Sequence, residues 1–154
     1  MSAIPDGYRT PAGLTPELRE KATGESHAVL GTVNPDGSPH LTRVLYGITD
    51  DNRVLVPTPS TTRKIKNITK RPLVSLIIYI DNDWVSCTGP ATVVDGDAAM
   101  ANNEQVWAGI FGSEPHETVR FLRAHEDRSI VITPTKWLSW STDFMDAWFE
   151  KNPG

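Results

Sequence analysis

Apolar and polar positions along the chain fall into short extended runs separated by turns, with helical stretches between some of them. Residues 27–33 form the first run, apolar and small throughout. Asn34-Pro35-Asp36-Gly37-Ser38 has the residue types of a tight turn. Residues 39–47 form a second strand, so the pair predicts a hairpin. Asp50-Asp51-Asn52 turns the chain into a third strand at 53–58. Period-two alternation is mixed here, as expected where both faces of a barrel wall are partly covered. Residues 73–80, rich in Val, Leu and Ile, predict a buried strand. A longer one follows at 84–94, where Gly89-Pro90 signals a bulge or an edge. Residues 129–140 predict a last strand, kinked at Pro134.

Helical spacing fills the gaps. Thr15 caps a short helix with Pro16 at its first position and Glu17 in its first turn, ending near Gly24. Ser60 or Thr61 caps a second helix running to Lys70, with Ile65 and Ile68 inward and Pro72 as its stop. Residues 98–108 and 113–125 predict two more, the latter with Val119 and Leu122 inside, and Asp143 caps a last one through Glu150. Hairpin-linked strands dominate this order, which makes the sheet antiparallel and closes it into a small barrel.

Size and composition agree with that outline. The 154 residues suit one domain, read as an N-terminal arm at 1–13 and a single barrel domain at 14–154. Hydrophobic residues at 38% and charged residues at 22% exclude a disordered chain. The longest near-apolar run, 73–80, is too short to span a bilayer, so no membrane segment is expected. The first ten residues lack the basic start and apolar centre of a signal peptide. A lone Cys87 has no internal partner, which fits a reducing cytoplasm. On that reading the Asn67-Ile68-Thr69 sequon carries no meaning.

The net charge of −4 argues against a nucleic-acid partner. Arg63, Lys64, Lys66, Lys70 and Arg71 nevertheless fall together with no acidic residue among them. Arg63 and Lys64 would occupy the first turn of the second helix, where the macrodipole already places partial positive charge. Two cations there repel unless an anion joins them. With a phosphate or carboxylate present, the Thr61 and Thr62 hydroxyls, the free N–H groups and both cations converge on it.

Other chemistry is thin. His27, His40, His116 and His125 show no i, i+3 or i+4 pair and there is no cysteine pair, so no metal site is expected. No nucleophile elbow, phosphate loop or dinucleotide fingerprint occurs. Trp84, Trp107 and Trp148 read as core or dimer-contact residues. Trp137 and Trp140, three apart on one strand, point to opposite faces, one toward core and the other toward an aromatic pocket.

Several of these segments are similar to one family. Residues 28–33, followed by Asn34-Pro35-Asp36-Gly37-Ser38-Pro39-His40, resemble the opening hairpin of the pyridoxamine 5′-phosphate oxidase-like split-barrel family, which includes the flavin and deazaflavin oxidoreductases. Thr58-Pro59-Ser60-Thr61-Thr62-Arg63-Lys64 resembles its cofactor-phosphate motif, and Gly89-Pro90-Ala91-Thr92-Val93 its Gly-x-Ala strand. The resemblance covers residues 14–94 well and is loose beyond Asp95.

It implies a six-stranded antiparallel split β-barrel with peripheral helices, dimeric, with cofactor sites at the subunit interface. It also implies a phosphate held at Thr62, Arg63 and Lys64, with Thr42, Thr58 and a late aromatic, Trp140, touching the cofactor; Thr61 and Lys66 of the same stretch complete the expected cofactor-binding set. The implied cofactor is FMN, favoured by Arg63-Lys64, with coenzyme F420 as the alternative from Lys66-Asn67. The implied activity is hydride transfer to or from a small conjugated or heteroaromatic substrate, with the proton supplied by solvent, His40 or Tyr46. A carrier that binds a flavin, haem or other apolar ligand without turnover is the alternative. Vitamin B6 oxidation fits poorly, because the family's oxidases have arginine where this chain has Thr42, and their C-terminal substrate motif is absent.

Assembly follows from the late aromatics. Trp137, Trp140, Phe144, Trp148 and Phe149 form an apolar set that is costly in water. Burying it against a twofold-related copy would place Trp140 beside the partner's cofactor motif.

Overall fold

A computed structural model describes residues 13–23 and 27–154. The expected arm, apart from Gly13, and the first helix's end near Gly24 lie outside the described residues. Strands β1 (Ala28–Val33), β2 (Pro39–Val44), β3 (Gly47–Ile48), β4 (Val54–Thr58), β5 (Leu73–Ile80), β6 (Asp83–Val94), β7 (Arg128–Ile132) and β8 (Lys136–Trp140) form one antiparallel sheet. Helices α1 (Pro16–Thr23), α2 (Arg63–Lys70), α3 (Gly96–Phe111), α4 (Glu117–His125) and α5 (Asp143–Lys151) surround it.

Six strands were expected and eight segments are found, because two strands are interrupted. The second breaks at Leu45 and Tyr46, so that β2 pairs with β1 and β3 pairs with β4. These are the two ends of the hydrogen-bonded path β2-β1-β5-β6-β7-β4-β3, so the sheet curls back on itself as a split barrel. The last strand breaks at residues 133–135, and both halves, β7 and β8, lie along the same edge of β6.

That second break is a bulge. Ala91 faces Ile132, whereas Thr88 faces Lys136, so one extra residue sits on the β7–β8 side. Core-facing positions are Ile130 and Ile132 before it, and Trp137 and Ser139 after it. Gly89 makes room for this: a Cβ there would lie 2.2 Å from the Thr133 carbonyl oxygen. The expected bulge at Gly89-Pro90 and kink at Pro134 are thus one feature.

Two cores result. The barrel interior is filled by Leu30, Val54, Leu76, Ile78, Val85 and Ile130, with Leu18 and Ala22 of α1 and Ile68 of α2. A smaller one joins Val106 of α3 to Leu55 and Val131 on the other face of β4 and β7. The mixed alternation of β4 follows, since all five of its residues are buried.

Helix boundaries shift in four places. Thr62 is the N-cap of α2, rather than Ser60 or Thr61, because Thr62 N–H turns back to the Pro59 carbonyl at 3.3 Å. Helix α3 is longer than expected and begins after Asp95. Helix α4 begins later, after His116, whose Nδ1 accepts from Thr118 N–H at 3.1 Å. Helix α5 starts after Thr142, held by Asp83, whose Oδ1 accepts from Thr142 N–H at 2.9 Å. No helix among the described residues is long and apolar enough to cross a membrane.

Candidate cofactor-binding site

Helix α2 presents its first turn without a side-chain capping bond. Thr62 has the extended dihedrals of an N-cap, yet its side chain accepts no helix N–H. Its Oγ1 donates to the Pro59 carbonyl at 3.1 Å and lies 3.2 Å from Thr58 Oγ1. A hydroxyl has one proton, so Thr62 accepts from Thr58, and both protons are used inside the turn. Thr58 is fully buried at the barrel end of β4, and Thr61 is exposed. Donors left for an anion are therefore the Thr61 hydroxyl, the first-turn N–H groups and the Arg63 guanidinium. There is no acidic residue in that turn, and among the described residues no carboxylate lies within ion-pair distance of Arg63 or Lys66.

Lys64 behaves differently from Arg63. It is half-buried, and desolvation holds its ammonium below the usual lysine range, partly offset by attraction to Glu126. Burial likewise pushes the Glu126 carboxyl up, against a hydrogen bond from the Trp107 indole and the Lys64 charge. Lys66 is exposed one turn along, on the same stripe as Arg63 and Lys70. A shallow groove of about 310 Å³ lies along this stripe, lined in part by Arg63, Lys66, Lys70 and Arg71.

The opposite end of α2 is fastened down. Asn67 is buried, and its Nδ2 donates to Thr32 Oγ1 at 3.0 Å and to Asn34 Oδ1 at 3.1 Å. Arg71 Nε donates to the Val33 carbonyl at 2.9 Å. The sequon asparagine that carried no meaning in the sequence is thus the anchor of the helix to the first hairpin. Its position beside Ile68 on the inward stripe was the available signal.

Thr42 and His40 lie on the barrel-facing side of β2, opposite Leu30 and Thr32 of β1. Thr42 Oγ1 is buried with no hydrogen-bond partner, a costly state for a hydroxyl unless a ligand completes it. Tyr46 is a correction: its hydroxyl donates to the Ala22 carbonyl inside the core, so it is a structural residue and no proton donor to a ligand. Trp137 and Trp140 do take opposite faces. Trp137 packs on the barrel core, and Trp140 lies on the outer face opposite Trp84, 5.3 Å from the Phe144 ring. Within one chain Trp140 thus belongs to the outer face of the sheet.

The chemistry of the donor set fits a phosphate-bearing ring cofactor. The open first turn suits an anion, and the unpaired Thr42 hydroxyl on the barrel wall suits a polar ring edge. Among the described residues no cluster of His, Cys, Asp and Glu could hold a metal.

An antiparallel split barrel with an open, cationic helix end at its wall is the class these observations define. The chain belongs to the pyridoxamine 5′-phosphate oxidase family, whose model matches residues 14–141. No curated protein matches the sequence. Among solved structures it is similar to HutZ, the heme storage protein from Vibrio cholerae, with a TM-score of 0.65 and 18% identity over 83% of this chain and 96% of that one. It is similar to an F420 reductase at 0.61 and 23% identity, over 80% and 98%. A pyridoxamine 5′-phosphate oxidase-related, FMN-binding protein from Nostoc punctiforme gives 0.56 and 16%, over 77% and 75%. At these identities the similarity is one of fold.

Proposed function

We propose that this protein is an oxidoreductase that holds a flavin or deazaflavin cofactor, FMN or F420, with the cofactor phosphate at the first turn of α2. The observation that carries this reading is the uncapped N-terminus bearing Arg63 with no carboxylate neighbour in its turn. Arg63, Thr61 and the first-turn N–H groups bind the phosphate. The Thr58–Thr62–Pro59 chain of hydrogen bonds keeps that turn in shape. Thr42 orients the ring against the barrel wall with its free hydroxyl. When bound, the cofactor supplies hydride transfer with a small conjugated or heteroaromatic substrate. His40, on the same wall and half-buried, is the side chain placed to exchange a proton with bulk water. The Arg63→Ala, Lys64→Ala double variant tests the site. Its affinity for FMN and F420 should fall by about tenfold or more. Unchanged binding of both would move the site elsewhere.

The active form is a homodimer. The outer face of β2, β5, β6 and β8 exposes Leu41 (65%), Leu73 (60%) and Tyr79 (50%) beside Trp84 and Trp140. Helix α5 buries none of its residues. A second copy of the chain covers this face. Sedimentation at dilute concentration checks it, a dimer being the expected result and a monomer that binds cofactor at full stoichiometry the contrary one.

The heme storage protein of the same fold favours a second reading, a ligand store without turnover. Visible spectra with FMN, F420 or haem, followed by cycles of reduction and re-oxidation with acceptors, separate the two.

A further inference from the structure

The cofactor reading of α2 leaves one neighbouring cation unused. Arg128 is the Cα partner of Thr58 on the β4–β7 ladder. Directly opposed residues of an antiparallel pair project to the same face of the sheet. Thr58 Oγ1 lies 3.2 Å from Thr62 Oγ1, at the N-cap of α2. Ile130 and Ile132, on the same side of β7 as Arg128 by alternation, pack in the barrel core. Arg128 therefore stands at the barrel-facing end of β7, beside the turn that opens α2.

Hydrogen bonds tie it there. Asp127 Oδ1 accepts from Ser60 N–H at 2.8 Å, and Asp127 Oδ2 accepts from Arg128 Nη1 at 3.0 Å. One carboxylate thus joins the Arg128 guanidinium to the turn at 59–62. Nη1 also donates to the Asp127 carbonyl at 3.0 Å, so both its protons are committed. Among the described residues Nε and Nη2 have no protein partner. These two atoms form the side-on fork of a guanidinium, an edge that grips a phosphate through two parallel hydrogen bonds.

An aspartate beside an anion site is unfavourable by itself. Here both its oxygens are spent, one on the turn and one on Arg128, so the carboxylate is neutralised where it stands. Arg63 and Lys66 are exposed along α2 and Lys64 is half-buried between them, so the helix supplies its cations from one side only. Arg128, half-buried on the sheet side, supplies the other.

Building on the cofactor site at α2, we propose that Arg128 is a further phosphate-binding residue, giving its Nε–Nη2 edge to the cofactor phosphate from the sheet side while Arg63 meets it from the helix. Asp127 is the positioning residue that holds Arg128 against the turn.

The test uses cofactor pairs that differ in the phosphate: FMN against riboflavin, and F420 against its phosphate-free deazaflavin, each followed by fluorescence titration. The wild-type chain should bind the phosphate-bearing member of at least one pair about tenfold or more tightly. Arg128→Gln should weaken that member about tenfold and its phosphate-free counterpart less than about twofold. Arg128→Lys keeps the charge beside Asp127 but loses the fork, and should cost the phosphate-bearing member alone about threefold. A purely structural role would weaken both members alike, so the ratio within a pair is the readout. A ratio unchanged in Arg128→Gln, or in the lysine variant where the first fails to fold, would overturn this assignment. If Arg63→Ala lowers the ratio all the same, the cofactor reading stands without it. A wild-type chain that binds none of these ligands, or does not distinguish the members of either pair, would overturn the phosphate site at α2 and the part of Arg128 with it.

Discussion

At its C-terminal end α2 is fastened to the barrel by Asn67 and Arg71, each spending donors on the first hairpin. At its N-terminal end the same helix has no side-chain capping bond, no acidic residue and a guanidinium facing solvent. One end spends its side-chain donors on the barrel and the other keeps its donors free. The fastened end holds the helix in register with β1, and that fixed position allows the open end to keep its donors aimed. The contrast separates residues that serve stability from residues that serve binding within one element of eight residues.

Substitutions at the two ends should therefore differ in kind. The largest effect on folding is expected for Asn67→Ala, which strips the buried Thr32 hydroxyl of its partner and opens a cavity. We expect a loss of about 2–3 kcal/mol, read as a lower urea midpoint with an unchanged slope. Arg63→Ala should do the reverse, costing about 1.5 kcal/mol of cofactor affinity while moving folding stability by less than about 0.5 kcal/mol. If Arg63→Ala destabilised the fold as much as Asn67→Ala, the division between the ends would fail. Thr62→Ala should fall between, leaving the Thr58 hydroxyl buried and unpaired at a cost of about 1 kcal/mol, measurable by thermal unfolding.

The smallest effect belongs to a pair remote from α2. Arg123 hydrogen-bonds Glu104 through Nη2 at 3.0 Å and so holds its carboxyl below the usual carboxylate range. A depressed acid stabilises the fold above its unfolded pKa and loses that contribution as pH falls through the folded value. Glu104→Gln should thus lower stability slightly at neutral pH, and the gap to the wild type should close in acid. The pair is solvent-exposed, so the gap is small and shrinks with salt.

Much of this was legible in the residues, and what was not has a common cause. The hairpin of β1 and β2, the buried β5 and the length of α2 follow from turn chemistry and short-range pattern. So does the cationic first turn, because Arg63 and Lys64 sit there whichever of Ser60, Thr61 or Thr62 is the cap. Three consecutive hydroxyls gave no local reason to choose among the caps, since the decision comes from the Pro59 carbonyl. The influence of Glu126 on Lys64 was invisible because the two are far apart in the chain and come near each other only when β7 pairs with β4. Tyr46 looked like chemistry for the same reason: its partner, Ala22, lies on another element.

The bulge opposite Gly89 works as a phase shifter. Even-numbered residues face the barrel before it and odd-numbered residues after it, so the two halves of one strand are written in different reading frames. Running β7 into β8 as one unbroken strand, with no residue removed, would leave the composition of β8 intact and reverse its meaning. Leu138 and Trp140 would turn into the barrel, and Trp137 and Ser139 would turn out to the face a second copy is proposed to cover. One residue without a side chain, Gly89, therefore sets which tryptophan is available for assembly, although it touches neither the cofactor site nor that outer face.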